Sequence, residues 1–172
     1  MQLTDFTFLF AFLPVSLVCA LAARKNLRAQ NALLLFFSLL FCASFGIAGL
    51  LAAIVQSLVI FYLGKRCAHA KTARQRACLL ALGTAFAAGL LCYFKYTNFI
   101  LQSLHLPSVA LFPAPLGASF LAFLLICYLA DVCRGRILPE TRFSRFLLYA
   151  LFFPKAAQGP LCRYGDFSAQ LD

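Results

Sequence analysis

The sequence predicts an all-α fold: a polytopic bundle of transmembrane helices with short re-entrant or interfacial helices. Of the 172 residues, 63% are hydrophobic and 12% are charged, whereas soluble domains average about 45–50% apolar and about 25% charged residues. The apolar residues form long runs that are separated by short basic loops. This pattern is typical of an integral membrane protein.

The net charge of +10 indicates membrane orientation rather than nucleic-acid binding. The basic residues lie in short loops between apolar runs, as the positive-inside pattern requires. We therefore expect the lipid bilayer as a partner and no nucleic acid.

The eight cysteines form no C-x-x-C pair, and several lie inside apolar runs. Disulfide frameworks are typical of small secreted domains. We interpret these cysteines as small, polarizable residues for helix packing. Because no Cys/His cluster has the spacing of zinc ligands, we predict no metal site.

The first predicted span covers residues 6–23. A signal peptide would have basic residues before its apolar run, but here the basic cluster follows the run. We therefore predict a retained transmembrane helix.

The next apolar run, residues 31–64, is too long for one straight span. Its 34 positions would form a helix of roughly 51 Å, and the bilayer core is about 30 Å thick. The stretch "FGIAG" at 45–49 supplies a break, because two glycines weaken a helix interior. Two spans, 31–45 and 48–64, are predicted.

The basic loops predict the orientation. Loop 24–30 carries three positive charges and loop 65–76 carries five, so both are expected on the cytoplasmic side. An even number of crossings must then connect them, which two helices satisfy. The N-terminus is expected outside.

The second half of the chain continues this pattern. Residues 77–94 form the next predicted span, in which the pairs Gly83/Ala87 and Ala85/Gly89 suit close helix packing. The proline-containing stretch 95–115 is predicted to be interfacial or re-entrant. Residues 116–130 return to the cytoplasmic side. The 11 apolar positions 143–153 are too short to span, so 143–165 is also predicted to be interfacial or re-entrant, within a single membrane domain, 1–172.

We predict no catalytic residue within this chain. Its two histidines, His69 and His105, have no nearby carboxylate to orient them as general bases. One candidate feature is the pair Asp131 and Arg134, which are three residues apart and can interact at a helix end. The alternative is that these two residues only anchor that helix end.

The second candidate feature is the stretch "FFPKAAQGPLCRYGDF", residues 152–167. Its prolines and glycine break the backbone, and in hydrocarbon such a break is tolerated only beside protein or a water-filled cavity. We predict that the stretch is a re-entrant segment or tunnel wall. Its candidate residues are Pro154, Lys155, Gln158, Gly159, Pro160 and Arg163. The alternative is that Lys155 reaches to the membrane interface.

Three sequence blocks resemble the membrane-bound O-acyltransferase family. They are "YFKYTNF" at 93–99, "PLGASFLAFLLICYLADVCRG" at 115–135 and "FFPKAAQGPLCRYGDFSAQL" at 152–171. They occur in the family's order. The chain looks most similar to the bacterial branch that includes the alginate O-acetyltransferase membrane subunit and the D-alanyl-lipoteichoic acid export protein. The departures are Ala122, Leu124 and Cys127, where the family often has polar residues, and Lys155, where Gln is common.

The resemblance implies transfer of an acyl group, in the first place acetyl, to hydroxyls of an extracytoplasmic polysaccharide or cell-wall polymer. The donor would be acyl-CoA or an acyl carrier, with no resident cofactor. The family's catalytic His lies in a later apolar segment, and the sequence ends at Asp172 before any counterpart. We therefore expect this chain to be an N-terminal part, inactive alone, with a second chain or an extracytoplasmic acyltransferase as partner. The alternative is a small non-catalytic membrane protein that binds a partner through its basic cytoplasmic loops.

Overall fold

The computed structural model describes residues 10, 12–103, 117–154 and 163–169. Within these ranges the regular structure is helical, which confirms the all-α prediction. The seven described helices are α1 (Leu13–Ala22), α2 (Leu27–Ala43), α3 (Ile47–His69), α4 (Ala73–Ser103), α5 (Ala118–Cys133), α6 (Phe143–Leu151) and α7 (Tyr164–Ser168).

Two of these helices are long and apolar enough to cross a bilayer. They are α3 and residues 73–97 of α4. The other apolar helices α1, α2 and α5 are shorter, with 10–17 residues each. The composition and these helices together describe a membrane protein built as a helix bundle.

The long apolar run of the sequence divides into α2 and α3 at Gly46. This glycine has φ 130°, a conformation that residues with a Cβ rarely adopt. The backbone N–H of Gly46 donates to the carbonyl of Ala43 at 3.0 Å, which closes the turn after α2. The break therefore lies inside the stretch 45–49 where the sequence places it.

Local side chains fix the beginnings of α2 and α4. The Asn26 side-chain oxygen accepts from the N–H of Arg28 at 3.1 Å and caps α2. Before α4, the N–H of Gln75 donates to Thr72 Oγ1 at 3.2 Å, and the Gln75 side chain accepts from the N–H of Thr72 at 3.4 Å. This is a capping box, which satisfies two helix-end donors reciprocally.

Helix α4 differs from the prediction at its far end. It continues unbroken to Ser103, so residues 95–103 extend the helix and do not form a separate interfacial segment. The reason is that no glycine or proline occurs between Gly89 and Pro107, and polar residues alone do not end a helix. Residues 104–115, the rest of that predicted segment, lie outside the described residues.

The core lies where α3, α4, α5 and α6 meet. Glycines permit the close approach of α5: a Cβ on Gly64 would stand 3.0 Å from the Tyr128 ring, and a Cβ on Gly83 would stand 2.2 Å from Leu129 Cδ2. Ala87 is also fully buried. The pair Gly83/Ala87 thus packs inside the bundle. The other predicted pair, Ala85/Gly89, is exposed, and a Cβ added at Gly89 would have nothing within 4 Å of it.

One expectation about the cysteines is wrong. The structure joins Cys67, near the end of α3, to Cys133, the last residue of α5, in a disulfide with a Cα–Cα separation of 5.6 Å. The two residues are 66 positions apart, and no local pattern links them. Cys19, Cys42, Cys78, Cys92 and Cys127 are free thiols.

The basic connections after α1, α3 and α5 lie at one end of the bundle. Lys65 Nζ donates to the Thr141 carbonyl at 3.2 Å, which ties the end of α3 to the loop before α6. Arg28, at the beginning of α2, lines a common cavity with Arg142 of that loop. We call this end of the molecule the basic end.

Candidate functional site

A small cavity at the basic end brings together candidate residues from both predicted features. Its volume is ≈ 200 Å³, and it lies between the end of α5 and the beginning of α7. Asp131, Arg134 and Arg163 line it, although 32 sequence positions separate Asp131 from Arg163. We call it the arginine–aspartate cavity; its described lining residues are Leu124, Cys127, Ala130, Asp131, Arg134, Arg136 and Arg163.

The ion pair at the end of α5 differs from the predicted one. Asp131 Oδ1 contacts Arg136 Nη1 at 3.4 Å, whereas the sequence predicts Arg134 as the partner. The reason is the reversal of the chain at Gly135, whose φ is 70°. The N–H of Arg136 donates to the Asp131 carbonyl at 2.9 Å, as in the glycine-terminated ends of many helices. Arg136 therefore folds back over Asp131, while Arg134 is exposed beside the cavity.

Glu140 holds the loop beside the cavity, and the sequence analysis missed it. Its carboxylate accepts a hydrogen bond from the Tyr164 hydroxyl and from the N–H groups of Thr141 and Arg142, both at 2.8 Å. Its own N–H donates to Tyr128 Oη at 3.1 Å. One signal was present: Glu140 is the only glutamate in a chain with 15 basic residues.

These contacts shift the protonation of both Glu140 and Tyr164. Burial alone would raise the pKa of Glu140, but the Tyr164 hydrogen bond, the two backbone N–H groups and the nearby Arg145 charge lower that pKa below its ordinary value. Burial, and then the bond to the Glu140 carboxylate, raises the pKa of Tyr164 well above its ordinary value. Glu140 is therefore a carboxylate and Tyr164 a neutral donor across the physiological pH range.

Through Tyr164, Glu140 positions Arg163. Arg163 is the residue before α7, and Tyr164 is the first residue of that helix. The buried Tyr164 ring packs against Tyr128 and Tyr149, with centroids 5.1 Å and 5.0 Å away. The aromatic contacts and the Glu140 bond together fix α7 against α5, which places Arg163 at the cavity.

Pro154 lies in a different, apolar cavity. This cavity has a volume of ≈ 450 Å³ and is lined by α1, α2 and the residues that follow α6. We call it the proline cavity; its lining is Leu13, Ser16, Leu17, Ala20, Leu34, Phe152, Phe153 and Pro154. The predicted residues Lys155, Gln158, Gly159 and Pro160 lie outside the described residues.

The backbone after α6 finds a polar partner inside the bundle. The N–H of Phe153 donates to Ser38 Oγ at 3.3 Å, and Ser38 Oγ donates in turn to the Leu34 carbonyl at 2.8 Å. Ser38 is fully buried and lies about 16 Å along the axis of α2 from its beginning. The broken backbone thus lies deep in the bundle with its donor satisfied by protein, as hydrocarbon requires.

Residues 143 and 163 both lie at the basic end of the bundle. Phe143 begins α6 directly after Arg142, and Arg163 lines the arginine–aspartate cavity. Between them, Phe153 reaches Ser38 deep in the bundle.

The arginine–aspartate cavity can hold an anionic or strongly polar group. Three guanidinium groups and one carboxylate line it, and guanidinium groups bind carboxylate and phosphate oxygens well. None of its described lining residues is a histidine. Of the two histidines, His69 is exposed at the end of α3, and His105 lies outside the described residues.

The chain is similar to bacterial O-acetyltransferases over nearly its whole length. It is 33% identical to the probable alginate O-acetylase AlgI of Pseudomonas aeruginosa and to that of Azotobacter vinelandii, over 96% of the chain in each case. It is 29% identical to the peptidoglycan O-acetyltransferase of Helicobacter pylori over 95% of the chain. The chain spans 33%, 35% and 37% of the lengths of these three relatives. No protein-family model and no solved structure matches the chain.

Proposed function

Since the chain belongs to the membrane-bound O-acyltransferase family over the segment that it shares with these relatives, we propose that it forms part of a membrane O-acetyltransferase. The acceptor is a hydroxyl of an extracytoplasmic polysaccharide or cell-wall polymer. The observation that carries this proposal is similarity over 96% of the chain to alginate O-acetylases. Similarity to a peptidoglycan O-acetyltransferase supports the wider acceptor class.

In this proposal the chain supplies binding and positioning groups. The arginine–aspartate cavity holds a polar part of the acyl donor, acyl-CoA or an acyl carrier, at the basic end. The re-entrant stretch after α6 forms a wall of the acyl path, and the apolar proline cavity lies beside it. The catalytic base comes from outside the described residues, and we expect the chain alone to be inactive. As its partner we propose a second chain or an extracytoplasmic acyltransferase.

We propose that the protein is a multi-pass protein of the plasma membrane with its N-terminus outside. The support is the position of the basic connections after α1, α3 and α5 at one end of the bundle, because the positive-inside rule then assigns that end to the cytoplasm. The closed turn at Gly46 lies at the other end. In a variant whose eight native cysteines are replaced by serine, a cysteine introduced at Ala43 should react with a membrane-impermeant maleimide in intact cells, and one introduced at Thr141 should not. Reaction at Thr141 alone would reverse the orientation.

The test of the proposed activity is a segment exchange. In a Pseudomonas aeruginosa strain that lacks its alginate O-acetylase, this chain replaces the segment that it matches, and the O-acetyl content of the alginate is measured by hydroxylamine. We expect acetylation from the exchanged protein and none from this chain expressed alone. An exchanged protein that reaches the membrane in wild-type amount and leaves alginate unacetylated would contradict the proposal.

Two substitutions in the exchanged protein separate the cavity from mere folding. Arg163→Gln removes a guanidinium from the arginine–aspartate cavity, and we expect it to lower acetylation at least about tenfold, since hydrogen bonds to charged groups contribute about 1.5–3 kcal/mol. Arg66→Gln removes an exposed charge at the same end of the bundle and is the matched control. Equal acetylation by both variants would remove the cavity from the proposal.

A further inference from the structure

A second cavity at the basic end has the composition of a phosphate-binding site. It lies between the beginnings of α2 and α6 and has a volume of ≈ 470 Å³. Among the residues that the structure describes, none lines both this cavity and the arginine–aspartate cavity or the proline cavity. Three arginines from two separate parts of the chain meet there: Arg28, Arg142 and Arg145. We call it the α2–α6 cavity.

Charge in this cavity is strongly unbalanced. The nearby carboxylate is Glu140, which feels the charge of Arg145 and whose oxygens accept from Tyr164 and from the backbone of residues 141–142. Among the described lining residues, three carry a guanidinium group and none carries a carboxylate. Like charges that share a cavity repel one another, and a bound anion reduces that repulsion.

Neutral donors and helix ends add to the same preference. The Asn31 and Ser144 side chains also line the cavity. Helix α6 begins at the cavity without a side-chain cap, so the partial positive charge of its first turn faces the same region as the arginines. Guanidinium forks, an amide and a hydroxyl are together the donors that proteins use for phosphate oxygens.

The other side of the cavity is apolar. Leu27, Ala32, Leu35 and Leu148 complete the lining. A cavity with a basic rim and an apolar wall, at the end of a membrane bundle, suits a phosphate group that is attached to an apolar or amphipathic molecule. A third basic cavity, near the start of α4, is lined by Lys71, Arg76 and Arg134, but none of its described lining residues is an asparagine or a serine.

We propose that the α2–α6 cavity binds a phosphate group through Arg28, Arg142 and Arg145. The phosphate belongs to an anionic phospholipid headgroup or to a soluble phosphate ester. This site is separate from the cavity on which the proposed acyl transfer rests, so the two proposals can fail independently.

The test uses the purified 172-residue chain in phosphatidylcholine nanodiscs. Inorganic phosphate is titrated and its binding is followed by the ³¹P NMR linewidth. In parallel, nanodiscs that also contain phosphatidylglycerol are analysed by native mass spectrometry for phosphatidylglycerol that stays bound to the protein. Phosphate binding in phosphatidylcholine alone identifies a soluble ester as a sufficient source. Retained phosphatidylglycerol identifies the lipid.

The variant R28Q/R142Q removes two arginines from the cavity, and R24Q/R66Q removes two exposed charges at the same end. We expect R28Q/R142Q to weaken binding of whichever probe the wild type binds by on the order of tenfold or more. We expect R24Q/R66Q to change it less than about twofold. Equal weakening in the two variants, or no binding of either probe by the wild type, would overturn the proposal.

A conservative variant keeps the test decisive if R28Q/R142Q fails to fold. R28K/R142K retains both charges but loses the planar forks, so it should bind several-fold more weakly than the wild type. Circular dichroism identifies the folded variants. A folded R28K/R142K that binds phosphate and phosphatidylglycerol as the wild type does would also overturn the assignment to these arginines.

Discussion

Replacing Glu140 with glutamine should destabilise the bundle through the loop that supports α7. The carboxylate accepts four hydrogen bonds, from the Tyr164 and Thr141 hydroxyls and from two backbone N–H groups. A hydrogen bond to a charged group contributes about 1.5–3 kcal/mol, and one between neutral groups about 0.5–1.5 kcal/mol. A glutamine side chain keeps one acceptor oxygen but replaces the other with an NH₂ group. That NH₂ group is a donor and would face groups that donate to the carboxylate in the wild type. Because the side chain is only partly buried, we expect a loss of about 1–2 kcal/mol in the free energy of unfolding.

The assay is reversible unfolding in mixed micelles of dodecyl maltoside and sodium dodecyl sulfate, followed by circular dichroism. Asp166→Asn is the matched control, since it makes the same chemical change at an exposed carboxylate on α7 and should cost less than about 0.5 kcal/mol. Tyr164→Phe removes the partner hydroxyl. In a double-mutant cycle, E140Q and Y164F should be non-additive because they break one shared bond.

The pH dependence of stability gives an independent check of the same bond. The pKa of Glu140 is lower in the folded protein than its ordinary value of 4.5, so its contribution is present above that pH and is lost as the pH falls through the folded pKa. The pKa of Tyr164 is raised above 10.0, so its contribution is present below that pH and is lost at higher pH. The loss of stability at low pH and the loss at high pH should both be smaller in E140Q than in the wild type. An E140Q protein as stable as D166N, with the wild-type pH profile, would refute this account of the loop.

Two further predictions concern helix packing and membrane orientation. Gly83→Leu should destabilise the bundle by about 1–3 kcal/mol through overpacking against Leu129. Gly89→Leu on the same helix should be neutral, because a Cβ added at Gly89 has nothing within 4 Å of it. Equal unfolding midpoints of the two variants would contradict the packing of α4 on α5. If the basic end is cytoplasmic, Cys67 and Cys133 should be reduced thiols in growing cells and should form their disulfide on purification in air. Rapid acid quenching and alkylation measure this, and a disulfide in freshly quenched cells would favour the opposite orientation.

The helices that the sequence predicts well are those whose ends have a local cause. The division at Gly46 follows from apolar run length and from a glycine that the structure holds at φ 130°. The prediction for residues 95–115 relied on the prolines of that stretch, but the first of them is Pro107, and α4 continues to Ser103 because nothing in its backbone stops it before then. A proline restricts its own backbone and that of its neighbours, so it does not mark the end of a helix many residues earlier.

The candidate site was predictable in its residue types but not in its pairings. The predicted residues Asp131, Arg134 and Arg163 line one cavity, yet the ion pair of Asp131 is with Arg136. A spacing rule for helices cannot anticipate a chain reversal at the residue after the helix cap. Cys67 and Cys133 illustrate the same limit over 66 positions, because pairings that depend on how two helices pack leave no mark in either local sequence.

Glu140 shows how charge imbalance in a membrane chain can reveal a structural residue. A single glutamate among 15 basic residues is easily read as one more solvated charge in a cytoplasmic loop. A carboxylate in a strongly basic surrounding is stabilised by that field, which makes it a strong acceptor for nearby donors. Here it uses that capacity on Tyr164 and the backbone, and the arginines around it remain at the rims of two cavities. The loop before α6 is thus held in place by Glu140, while the basic end keeps a net positive charge. A site for anionic groups requires that positive charge.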